Sequence, residues 1–305
     1  MFESVLQAIL EVVAPVFLVA AVGFVYARRR TLPIGGFTDL IIYLTGACLV
    51  FDKLSTADRF DLNAARAPMS AALLIAGGLV VGWSARRMLP PLARLGRGAV
   101  LLPSAFMNAG NLGLPLAALA YGDEGLSLAM LFFVTFSAMQ YSVGIAIVKG
   151  RGGLREVTRL PLVYAAVLGV AFNQMGWTLP QTLSVPVHML GETVIPLMLL
   201  SLGARLATLM GSADERPPLL PVLLLPALRM GGGFLIATLV NLLLGNEGTL
   251  ARVTLVVGIL PPAVMNFALV EKFGDDPAAP AIVSGAIAVG TVAAMIVLPV
   301  VLALL

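Results

Sequence analysis

Read for hydrophobic and polar positions, the chain is a series of ten apolar runs, at 5–27, 35–54, 69–85, 99–121, 125–148, 160–177, 188–209, 219–244, 251–271 and 279–303. Each approaches the roughly 20 residues that a helix needs to cross the hydrocarbon core of a bilayer. Alternation with a period of two is missing, and the runs are too long for barrel strands. Helices are then the one spanning form open to them, because in lipid every backbone polar group must be paired within the segment. The longest polar gap, Ser55 to Pro68, is too short for a soluble domain. The pattern predicts an all-α polytopic membrane protein with ten transmembrane helices.

Composition strengthens this. Of 305 residues, 59% are hydrophobic and 11% charged, with a mean hydropathy of +1.00. A soluble globule is about a quarter charged, and this chain cannot supply such a surface. Glu3 and Glu11 lie early and Arg28, Arg29 and Arg30 follow the first run. That order is the reverse of a cleaved signal peptide, so the first run is expected to remain as a helix. With Cys48 as the one cysteine there is no internal disulfide.

The net charge of +3 carries topology and gives no reason to expect nucleic acid. Fourteen of the 19 Lys and Arg residues fall in connectors on one side, among them Arg86, Arg87, Arg94, Arg97, Arg151, Arg205 and Arg216. Lys53, Arg59, Arg66 and Arg252 fall on the other side, and Arg229 lies within the eighth run. The positive-inside rule puts the rich side in the cytoplasm and both termini outside.

The chain also repeats itself. "LPSAFMN" (Leu102 to Asn108) is answered by "LPPAVMN" (Leu260 to Asn266), with five of seven positions identical. "PVFLVAAVG" from Pro15 matches "PLVYAAVLG" from Pro161, and "YGD" at Tyr121 matches "FGD" at Phe273. The offsets of 158, 146 and 152 are all near half the chain. Two repeats follow, 1–152 and 153–305, each with five helices. An odd number makes the second enter the membrane inverted, an arrangement characteristic of secondary transporters.

The shared heptads hold costly residues. Proline inside a helix removes a donor and costs about 3 kcal/mol or more, and in lipid such a break survives only against protein or a watery cavity. Pro103, Gly113 and Pro115 in the fourth run, and Pro261 and Pro262 in the ninth, mark these two as broken helices. Broken helices expose N–H groups with a partial positive charge, which suit an anion. Asn108 and Asn266 fall five residues after Pro103 and Pro261. As neutral donors they can hold a carboxylate and release it, together with Asn111 and the amides near Gly110 and Pro262.

At this point "NAGNLGLPL" (Asn108 to Leu116), with "YGDEGLSLAMLFF" after it and "LGETVIPLMLLSLGARL" at Leu190, resembles the auxin efflux carrier family, its bacterial members and, more distantly, the plant PIN-type exporters. The resemblance implies broken helices four and nine that cross, a fold shared with bile-acid sodium symporters. It also implies a dimerising scaffold of helices one, two, six and seven, and a sliding transport domain of helices three to five and eight to ten. The cargo would be an organic anion such as malonate or another carboxylate, and the location the bacterial inner membrane with its lipid. Helix three, "MSAALLIAGGLVVGW", lacks the charged groups that the plant exporters carry there.

Other polar residues are weighed against plain structural roles. Arg229, beside Pro226 and Gly231 to Gly233, either sits deep and meets a carboxylate or snorkels to the interface. Gln140 and Tyr141 can line the cargo path or bond to neighbouring helices. Glu11 and Glu192 are expected at the interface, Asp275 and Asp276 in a solvated turn, and His188 in an outer connector. One histidine without partners argues against a metal. No cofactor is implied, and proton or sodium coupling is left open. The alternative function is a sodium-coupled symporter of bile-acid type, against which stands the lack of an acidic side chain beside Gln140 and the crossing. Neither paired Asp, nor a zinc motif, nor an activated Ser lies at membrane depth, which argues against an enzyme. A sensor would be expected to carry an output domain, and no connector is long enough for one.

Overall fold

The computed structural model describes residues 2–30, 34–57, 62–150, 153–211 and 217–305. Arg59, Arg151 and Arg216, which enter the charge asymmetry, and residue 152 at the repeat boundary lie outside the described residues. Among the described residues all regular structure is helical, apart from one isolated bridge. In chain order the helices longer than one turn are α1 (Glu3–Arg29), α2 (34–56), α3 (Ala65–Met88), α4 (Arg97–Ala105), α5 (Ala109–Lys149), α6 (Pro161–Met175), α7 (Gln181–Met210), α8 (Leu219–Leu244), α9 (Gly248–Gly258), α10 (Met265–Phe273) and α11 (Ala279–Leu304). Six of them, α1, α3, α5, α7, α8 and α11, are long and apolar enough to cross a membrane.

The lengths explain several departures from the hydropathy pattern. The 41 residues of α5, if straight, would run about 60 Å, twice a hydrocarbon core. Gly122, with φ 62° and ψ −152°, divides α5 into two arms, at the connector expected between the fourth and fifth runs. The helix through the third run already starts at Leu62 and keeps Pro68 inside it. Its first turns, from "LNAARAP", hold polar and charged residues, so hydropathy alone misses them. His188 lies within a helix, Gln181–Glu192, rather than in a connector. Asp276 does sit in a turn, where its Oδ2 accepts from the Gly96 N–H at 2.8 Å.

The matched landmarks mark matched packing. Pro161 stands in the first turn of α6, where the missing donor is harmless, whereas Pro15 lies inside α1, just after the π turn Ala8–Val13. Eight residues on, a Cβ at Gly23 would collide with the Leu200 carbonyl of α7. At Gly169 it would come within 3.1 Å of the Phe51 carbonyl of α2. Helix α1 thus packs backbone-close on α7, and α6 on α2, the small-residue packing that membrane helices favour.

Candidate functional site

The site is built from two interruptions. Helix α9 stops because Pro261 and Pro262 cannot donate to the carbonyls one turn back, and each pushes its predecessor out of the helical region. On the other side, Pro103 stays inside α4, whose last residue is Ala105. The chain leaves the helix only at Phe106 to Asn108 and re-enters at Ala109. The two interruptions then satisfy each other. Asn108 N–H donates to the Pro261 carbonyl and Ala263 N–H to the Phe106 carbonyl, both at 2.8 Å, with Met107 and Pro262 paired as an antiparallel bridge. Peptide groups stranded by one break are paired by the other, as burial requires.

The two asparagines meet this junction differently. Asn266 is fully buried. Its Nδ2 donates to the Phe106 carbonyl at 2.9 Å, and its Oδ1 accepts from Gln140 Nε2 at 3.0 Å. Asn108 is also buried, at 4% exposure, but its Nδ2 has no partner. It lines a cavity of about 100 Å³ together with Gly110, Asn111, Gln140 and Tyr141. Gln140 and Tyr141 sit in a wide π turn, Gln140–Gly144, and Gly110 and Asn111 in another, Ala109–Gly113. Such turns rotate side chains out of the ordinary helical register and recur at functional sites.

Of the remaining predicted residues, Gly113 and Pro115 are buried where the helix resumes after the break. Pro103, Pro261, Pro262, Asn266 and Arg229 are not on the cavity wall. Arg229 is deep, with 0% exposure, so it does not snorkel. Nor does it pair with a carboxylate among the described residues. Its Nη1 and Nη2 donate to the carbonyls of Ser104 and Gly258 at 3.2 and 2.7 Å.

Several cavity residues, Arg205 above all, were not expected from the sequence. Met198, Ser201 and Arg205 share a face of α7 and line the same cavity as the junction residues. Arg205 Nη2 donates to Thr38 Oγ1 of α2, also on the wall. Among the described wall residues Arg205 is the one cation, and no carboxylate is present. Its number lies inside the apolar run 188–209, and that was the available signal. Counting it with the connector charges hid it.

Helices of this length and apolarity, with a paired break beside a cavity that carries polar wall residues, define a multi-pass membrane protein. The chain belongs to the membrane transport protein family, the family of the auxin efflux carriers and their PIN-type relatives. A model of that family matches residues 8–159 and again 153–302. The double match covers nearly the whole chain and restates the internal repeat. The protein is therefore a membrane transporter, and the family is one of transporters rather than enzymes. No curated protein matches the chain at a significant level.

Proposed function

We propose that this protein is an elevator-type secondary transporter of a small organic anion, a mono- or dicarboxylate, in the bacterial plasma membrane. The observation that carries the reading is the cavity: Asn108, buried and with an unpartnered amide nitrogen, lines a space whose one charged residue among the described wall residues is Arg205. An unpaired buried donor costs about 1–3 kcal/mol. A carboxylate would remove that cost through a charge-assisted hydrogen bond.

The elevator reading draws support from what forms the walls. Thr38 of α2, Leu162 of α6 and Ser201 and Arg205 of α7 form one group of wall residues, and those of the junction and α5 form another. In the ten-helix, two-repeat arrangement these are scaffold and transport domain, with helices four and nine crossing at the junction. The scaffold would carry the homodimer contact. Wall residues from the start of α2 and α6 and the end of α7 lie toward the Arg-rich connectors. With both termini outside, the cavity opens to the cytoplasm.

The test is transport in proteoliposomes, after a thermal-shift screen against carboxylates to find the cargo. Binding at about 100 times Kd adds about 2.7 kcal/mol of stability. Asn108→Ala is expected to abolish uptake while the protein stays folded. If no carboxylate stabilises or crosses with the wild-type protein, or Asn108→Ala transports normally, the proposal fails.

A further inference from the structure

We propose that Arg229 is a tethered cation: its guanidinium holds the two interrupted helices together where a carbonyl-bound metal cation would otherwise be needed, so that cargo binds without a coupling cation at this point. Only the cargo arm of the test below rests on the transport reading above.

The two carbonyls that Arg229 contacts are those the interruptions leave behind. In a continuous helix the Ser104 carbonyl would accept from the N–H of residue 108, but that N–H donates to Pro261. The Gly258 carbonyl would accept from residue 262, which is proline and has no N–H. Arg229 supplies both missing donors, at 3.2 and 2.7 Å. These carbonyls lie at the C-terminal ends of α4 and α9. Each such end carries roughly half a negative charge, so two converging ends present about one, which matches the guanidinium. This accounts for a fully buried Arg with no carboxylate partner among the described residues, a state that is otherwise strongly disfavoured.

The surroundings are shaped for that group. A Cβ at Gly233 would collide with Nη2 and the Gly258 carbonyl, and one at Gly78 would come within 2.7 Å of the Ser104 carbonyl and 3.3 Å of Nη1. Glycines on α3 and α8 thus leave the space that the guanidinium fills. Arg229 itself sits in the π turn Leu228–Gly232, which turns it inward. Converging backbone oxygens are the ligands that hard cations seek. A guanidinium is permanently charged and cannot leave, so the position is filled in every state of the transporter. Arg229 is a positioning residue: it acts on cargo through the junction and not from the cavity wall.

The experiment uses the purified full-length protein, with thermal stability and malonate binding measured for the wild type, Arg229→Met and Arg229→Lys, each with sodium, with potassium and with methylguanidinium. Arg229→Met should lower the melting temperature and weaken malonate binding by about tenfold or more, the loss expected for hydrogen bonds from a charged donor. Methylguanidinium should restore much of both, and Arg229→Lys should lie between. The wild type should bind equally in sodium and potassium. Arg229→Met with wild-type stability and binding, a loss that methylguanidinium and Lys both fail to repair, or wild-type binding that needs sodium would overturn the proposal. If Arg229→Met does not fold, Arg229→Lys and the sodium comparison still decide it. Should the wild type bind no malonate, the transport reading suffers, while the stability arm continues to test Arg229.

Discussion

Asn108 and Asn266 hold matching places in the two halves of the chain, yet their amides do different work. Asn266 has both ends occupied, by Phe106 and Gln140, and clamps the first interruption from the second half. Asn108 has an unpaired Nδ2 at the cavity. The residue types were legible because an amide in an apolar run is conspicuous. Which one is free was not, since that depends on a partner 126 positions away. Arg205 is the complementary case. Its hydrogen bond goes to a neutral hydroxyl, and no carboxylate within the described residues neutralises it. Arg205→Gln is therefore expected to leave the melting temperature nearly unchanged and to weaken malonate binding by about tenfold or more, with Arg205→Lys intermediate. Isothermal titration of malonate checks this. Binding by Arg205→Gln equal to wild type would remove Arg205 from the site.

At the scale of the element, proline is not uniformly a helix breaker. Pro103 is carried inside α4, while Pro261 and Pro262 occupy the interruption that ends α9. Sequence marks both places, but it takes the second break to pull Asn108 N–H away from Ser104 and so end α4. Replacing both Pro261 and Pro262 by Ala restores donors for Val257 and Gly258. The expected result is a helix that runs on toward α10, with slower hydrogen exchange over 259–264 and loss of transport in a protein that remains folded. Unchanged exchange together with normal transport would mean that the interruption is held by tertiary packing alone and has no role in the cycle.

Across the whole molecule, the end of α2 remote from the cavity is tied by charge. Lys53 pairs with Asp123 at 2.9 Å, beside the Gly122 turn, and lies 3.7 Å from Glu192 of α7. The neighbouring Asp52 meets His188 at 2.9 Å. Thr38, on the cavity wall, is 15 residues earlier, about 22 Å along a helix. In the proposed transporter these pairs close the outer side while the cavity faces the cytoplasm. Asp123 is 84% exposed, and such a pair is worth only about 0–1 kcal/mol. Lys53→Asp should thus barely change the melting temperature, yet shift the balance of states. Labelling of Asn111→Cys from outside by an impermeant thiol reagent, in a Cys48→Ser background, should rise several-fold. Adding Asp123→Lys should return it to the starting level, and labelling that ignores both changes would rule out a latch.

Sequence by itself determined that this chain belongs in a membrane, that its halves repeat, and where two of its apolar runs are interrupted. Each of these follows from local chemistry: apolar length, charge in connectors, and prolines that cannot donate. Tertiary structure alone decided what the stranded groups bond to. It paired the two breaks with each other, gave Arg229 two orphaned carbonyls instead of a carboxylate, tied up Asn266, and put Arg205 and Asn108 on the wall of one cavity. Those outcomes depend on which distant segment reaches a buried polar group first, and no spacing within the chain records that.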